Sequence, residues 1–190
     1  MKKKVLLHVC CAPCSASAVK MLGKEYDISF YWHNPNIYDI EEYKKRKDAA
    51  KKYAASLGIS FYEEDSFVYD YDNWLECGGE TCGFCYAERL SKTAEFAKKN
   101  GFEFFSTSLL SSPYQKHELI STIAKEHAEK NETKFLYKDF RPAFYEGKNS
   151  LRSEGYYIQK YCGCAGSYKQ QKARVCRHIN APKRDLNDKN

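Results

Sequence analysis

Seven cysteines stand in three short-spaced groups: Cys10-Cys11-x-x-Cys14, Cys82-x-x-Cys85 and Cys162-x-Cys164. Thiolates are soft ligands, and sets of four hold zinc or iron–sulfur clusters. One C-x-x-C alone is a weak signal, whereas three such groups in a 190-residue chain are a metal signature. Counting goes further, because one structural zinc or one cubane takes four thiolates. Seven thiols point to one four-thiolate centre and a second metal on the remainder, with positions left open for a substrate. The spacing itself suits iron–sulfur and zinc alike. Cys77 and Cys176 lack a close partner in sequence and read as bystanders.

The elements that must position these thiols alternate. VLLHV reads as a buried strand, SASAVKMLGK as a helix and ISFYWHN as a second strand closed by an NPN turn. EEYKKRKDAAKKYAASLG is a helix stopped at Gly58, and ISFYEEDS a third strand. CGFCYAERLSKTAEFAKKNG is a long helix ending at Gly101, then EFFSTSLL a fourth strand, QKHELISTIAKEHAEKN a helix and TKFLYKDF a fifth strand. The remainder, ending in EGYYIQKYCGCAGSYKQQKARV, is less regular and helical only in parts. This alternation predicts a single-domain α/β fold, a five-stranded, mainly parallel sheet with helices on both faces. Residues 1–167 form that domain and 168–190 a basic C-terminal segment.

In such sheets the site lies beyond the carboxyl ends of the strands, where the strand order switches. Cys10 and Cys11 fall there. Cys82 and Cys85 open a helix, whose N-terminus favours thiolates. Gly163 and Gly166 permit tight turns around Cys162 and Cys164.

Hydrophobic content of 43% and charged content of 29% describe a globular chain. The apolar run behind the basic start is only Val5 to Leu7, and no run of 18 apolar residues occurs. Both observations argue against a signal peptide and a membrane, so the expected compartment is the cytoplasm. There, nine cysteines serve metal or redox chemistry rather than a disulfide framework. The net charge is +6, and residues 168–190 hold seven Lys/Arg against two Asp. Such a basic end suggests an anionic partner, RNA included.

HVCCAPCS, NPNI with EEY after it, GGETCGFCYAERL, STSLLSSPYQK, and DFR followed by YYIQKYCGCAGS form an ordered set. Together, over roughly residues 5–167, they resemble the QueH-type epoxyqueuosine reductases. The resemblance implies removal of the epoxide oxygen of epoxyqueuosine at the wobble position of tRNA anticodons. It implies a [4Fe-4S] cluster and a fold similar to the nucleotide-binding, HUP-like α/β group. It carries metal-site roles onto Cys10, Cys11, Cys82, Cys85, Cys162 and Cys164, to which its position in the first group adds Cys14.

Loss of an epoxide oxygen as water takes two electrons and two protons. A cubane passes electrons singly, so an external electron donor must reload it, while a second mononuclear ion, expected to be iron, polarises the epoxide oxygen. Asp139, Tyr114 and His33, at strand ends, are the candidate proton donors. Asn34, Asn36, Ser111, Ser112, Gln115 and Arg141 are the substrate-binding candidates, and His8 reads as a hydrogen-bonded core histidine. Toward RNA, Lys44, Lys45, Arg46 and Lys47, with Lys169, Lys172, Arg174 and Arg177, are phosphate-binding candidates. Trp32, Tyr114 and Tyr156 are the aromatics nominated to stack on bases.

Two other readings compete. An iron–sulfur tRNA sulfur-transfer enzyme would want a Gly-rich SGGxDS-like loop after the first strand, where CCAPCS stands instead. A non-catalytic zinc-stabilised RNA-binding module needs four ligands and leaves the other thiols without a role.

Overall fold

The computed structural model describes residues 2–64 and 66–179, with side chains through residue 174. Five strands, β1 (Lys3–His8), β2 (Tyr26–Trp32), β3 (Phe61–Glu63), β4 (Phe104–Thr107) and β5 (Lys134–Phe135), form one sheet ordered β3-β2-β1-β4-β5. Every pairing is parallel, which sharpens the expected mainly parallel sheet. β1 takes the centre because its Val5-Leu6-Leu7 run is apolar on both faces, and all three are fully buried. His8 pairs with Tyr31 on one side and Thr107 on the other, so the carboxyl ends of β1, β2 and β4 lie close to level.

Right-handed crossovers put α1 (Ala12–Leu22) and α2 (Ile40–Ser56) on one face, and α4 (Cys82–Lys99) and α5 (His117–Lys130) on the other. α5 packs on α4, and α6 (Phe144–Ser153) packs on α1. The strand order reverses between β1 and β4, the switch point at which such sheets bind ligands. α3 (Tyr71–Glu76) and α7 (Ala165–Ile179) flank that edge.

The departures from the sequence reading have local causes. β3 and β5 are trimmed to Phe61–Glu63 and Lys134–Phe135 because both are edge strands with one neighbour. EFFSTSLL leaves the sheet after Thr107 and tightens into a 3-10 turn at Ser108–Ser111. The most regular element missed is α6, which falls in the segment expected to be less regular and contains Gly147. Gly147 allows close packing: a Cβ there would sit 3.1 Å from the Ser17 backbone nitrogen of α1. Ser17 Oγ donates to the Ala143 carbonyl at 3.2 Å across the same contact. Of the basic segment, residues 168–179 belong to α7, while 180–190 lie outside the described residues. Among the described residues no helix is long and apolar enough to cross a membrane.

Candidate metal centre

Three helix N-termini bring cysteines to the carboxyl edge of the sheet. Cys11 is the N-cap of α1, with Pro13 in the first turn and Cys14 just behind it. Cys82 and Cys85 lie in the first turn of α4, capped by Thr81, whose Oγ accepts from the Phe84 N–H at 3.2 Å. Cys164 directly precedes α7. The positive ends of these helices favour thiolate over thiol.

The first group is tight. The sulfurs of Cys10, Cys11 and Cys14 lie within 4.8 Å of one another, and those of Cys10 and Cys11 are 3.7 Å apart. Ser108, at the end of β4, fixes Cys10: its Oγ accepts from the Cys10 N–H at 3.0 Å and donates to the Cys10 sulfur at 3.3 Å. Gln159 Nε2 donates to the Cys11 sulfur at 2.7 Å. Hydrogen bonding from Cys11 and Cys14 drives the Cys10 thiol well below its usual range, while burial raises Cys11 and the bond to Cys10 raises Cys14. A bound cation would favour the thiolate form of all three.

The other four thiols are not packed as tightly as the trio, yet they lie near enough to act on one another. Cys85 feels the charges of Cys164 and Cys82, and Cys162 those of Cys164 and Cys85. Burial raises Cys85, whereas hydrogen bonds from Cys162 and then Ser167 bring Cys164 down to about 5. Gln115 Nε2 donates to the Cys162 sulfur at 3.6 Å, and its Oε1 accepts from Tyr86 at 2.6 Å. Gly163 adopts φ +123, and a Cβ there would press to 3.2 Å on Arg46 and Ile37, so the turn between the two cysteines needs glycine. The donor chemistry fits metal: the described cysteines are free, and the Cys10, Cys11 and Cys14 trio is an all-thiol donor set.

Two buried arginines stand behind the thiols. Arg46 donates to the Tyr161 and Cys162 carbonyls at 2.9 and 2.7 Å, and its Nε pairs with Glu42 at 2.7 Å. Arg89 donates to Asn34 Oδ1 at 2.8 Å, to the Cys85 sulfur at 3.7 Å and to His8 Nε2 at 3.4 Å. A cavity of about 780 Å³ opens over this arrangement. Cys10, Cys14, Cys162 and Gln159 line its floor, with Tyr114, Lys148, Arg152 and Arg174 around them. That volume suits a nucleotide-sized ligand.

The sequence-based candidates divide. Ser112, Tyr114 and Gln115 line the cavity, and Ser111 lies buried beneath it, donating to the Cys14 carbonyl at 2.8 Å. Asn34 and Asn36 are buried; Asn34 braces Arg89 and donates to the Val9 carbonyl at 2.9 Å. His33 sits 3.9 Å from Glu64 and does not line the cavity. Asp139 and Arg141 clasp each other in a bidentate pair beside His117, at a second surface beyond the edge of β5. His8 is the expected core histidine, with Nδ1 2.9 Å from Thr107 Oγ1. Arg46 points inward, Lys44 and Lys47 pair with Glu41 and Glu63, Trp32 belongs to the core, and Tyr156 packs on Tyr53. Cys77 is exposed at the end of α3, and the side chains of Cys176 and Arg177 lie outside the description.

Arg89 and Gln159 were not singled out by the sequence. Arg89 had a signal, since it stands four residues after Cys85 on one helix face. Gln159, in an irregular segment, had none.

Buried histidines behind the site make stability depend on pH. Burial, with Arg89 next in weight, lowers His8 to about 3 and His33 to about 4. Both bind fewer protons folded than unfolded, so their stabilisation is complete above about pH 6.5 and is lost as pH falls toward 4. Thermal melts from pH 7.5 down to 5 should show a falling midpoint, with a shallower slope in His33→Gln. Equal slopes would remove His33 from the account.

The family model described as epoxyqueuosine reductase QueH matches residues 5–170. The chain is 34% identical to epoxyqueuosine reductase QueH of Dehalococcoides mccartyi, over 88% of this chain and 93% of that protein. It is 36% identical to the Thermotoga maritima protein of the same name, covering 90% and 93%. In backbone shape it is similar to the U34-tRNA thiolase NcsA from Methanococcus maripaludis with its [4Fe-4S] cluster, at 13% identity and a TM-score of 0.45, over 86% of this chain and 76% of that one. Since the family match runs through all three cysteine groups, the chain belongs to the QueH family of epoxyqueuosine reductases.

Proposed function

We propose that the cavity takes the wobble nucleotide of a tRNA anticodon carrying epoxyqueuosine, and that the thiols beneath it hold the iron centres used to reduce it. The chain is an oxidoreductase of its family, and the overall change is loss of the epoxide oxygen as water against two electrons and two protons. The observation that carries the reading is the tight Cys10, Cys11 and Cys14 trio beside a cavity that Cys10, Cys14 and Cys162 line, with no carboxylate lining it among the described residues.

Ligands on one tetrahedral ion stand about 3.8 Å apart when metal–sulfur bonds are about 2.3 Å. Cys10 and Cys11, at 3.7 Å, have that spacing, so the trio with Cys14 suits the single iron. Cys82, Cys85, Cys162 and Cys164 are then the four that would hold the [4Fe-4S] cluster. When bound, the cluster supplies electrons one at a time from an external donor, and the single iron offers a Lewis-acidic position to the epoxide oxygen.

The chain's own residues do the rest. Gln115 and Ser112 reach into the cavity as polar contacts for the substrate. Lys148, Arg152, Lys160 and Arg174 make its rim positive, as anticodon phosphates require. Tyr114 is 79% exposed, packed edge-on against Phe144, and offers a ring face to a splayed base. It is also the one proton-donor candidate of the three that lines the cavity. Such a substrate places the enzyme in the cytoplasm, with tRNA.

Base stacking is worth about 1–3 kcal/mol by alanine substitution, so Tyr114→Ala should raise KM for tRNA by a factor between about 5 and about 160. Tyr114→Phe separates the roles: stacking alone keeps both constants, whereas proton donation lowers kcat at unchanged KM. The activity itself is tested by incubating the anaerobically reconstituted chain with dithionite and epoxyqueuosine-bearing tRNA, then digesting to nucleosides. A product lighter by one oxygen supports the reading; unchanged epoxyqueuosine with sulfur entering the tRNA would favour the sulfur-transfer alternative.

A further inference from the structure

Arg46 and Arg89 are equally buried, at 2% exposure each, yet among the described residues only Arg46 has a carboxylate partner. The partners of Arg89 are an imidazole, an amide oxygen and a thiol. An unpaired buried guanidinium costs several kcal/mol, so a fold that keeps one must place an anion against it. The groups that act on Arg89 are Cys85, Cys10 and Cys162, one from each cysteine group. Arg89 donates to the Cys85 sulfur and lines the same cavity as Cys10 and Cys162, so it stands between the two thiol groups without a carboxylate to neutralise it, unlike Arg46.

We propose that Arg89 is the shared counter-cation of the two thiol groups and that its charge raises the reduction potential of the cluster they flank. Reduction adds one electron and one negative charge, and a fixed cation in a desolvated pocket stabilises the reduced form more than the oxidised. The inference rests on the iron reading above.

The experiment is a spectroelectrochemical titration of the reconstituted full chain, alongside iron analysis, for wild type, Arg89→Gln and Asn34→Asp. Asn34→Asp leaves Arg89 in place but sets a carboxylate against its guanidinium at nearly unchanged volume, so it cancels the charge without emptying the pocket. Both variants should bind iron and shift the midpoint negative. The expected size is about a tenfold change in the oxidised-to-reduced ratio at fixed potential, which is about 59 mV for one electron. If Arg89→Gln loses its iron, a negative shift in Asn34→Asp still supports the proposal. Iron-loaded variants with the wild-type midpoint overturn it and leave Arg89 a purely structural residue. A wild type that binds no iron defeats the underlying iron reading instead, so the two failures are distinguishable.

Discussion

Cys14→Ser, purified anaerobically, loses one iron but keeps its brown chromophore and acid-labile sulfide, whereas Cys85→Ser loses the chromophore and sulfide and keeps a single iron. Both lose reductase activity. Changing an outer contact of a metal site typically costs 10–100-fold, so removing a ligand should cost more than about a hundredfold. The contrast follows from the two groups. Cys14 stands within 4.8 Å of Cys10 and Cys11, and Gln159 approaches its sulfur at 3.9 Å. Cys85 answers electrostatically to Cys82 and Cys164 instead. If Cys14→Ser abolishes the chromophore while Cys85→Ser spares it, the assignment is reversed, and optical spectra with iron counts decide between them.

Arg46→Ala is expected to destabilise the protein by about 3–5 kcal/mol, the usual cost of breaking a buried pair from one side. It strands Glu42, which is 7% exposed and holds both Arg46 and the Tyr157 hydroxyl. It also frees the Tyr161 and Cys162 carbonyls that keep the C-G-C turn against α2. For a chain of this size the melting midpoint should fall by roughly 10 °C. Adding Glu42→Gln to Arg46→Ala should recover part of the loss, because it removes the stranded charge. A midpoint within about 2 °C of wild type would mean that the pair behaves like an exposed one.

Arg46 also shows where sequence reading stops. Within KKRK it looks like one more cation on a basic helix face, and nothing local tells that residue 46 alone turns inward to a turn 116 residues away. The sheet was legible because Val5 to Leu7 and the helices between strands follow strong periodicities. The thiols were legible because spacing and count are properties of the string. Asp139 and Arg141 close the fifth strand, and the rule that sites lie beyond strand ends drew both toward the site. The edge on which a strand falls decides which loops reach the cavity, and β5 lies one strand beyond β4, so Asp139 and Arg141 end up beside His117. α6 was illegible for the opposite reason: Gly147 serves a contact with α1 that only the assembled fold contains.

Iron and acid-labile sulfide counted on one anaerobically purified sample test the central claim, that these thiols hold a cubane and a neighbouring single iron. The account predicts about five irons and four sulfides per chain. Zinc alone, with no sulfide even after anaerobic reconstitution, would contradict it and leave a zinc-stabilised fold in its place.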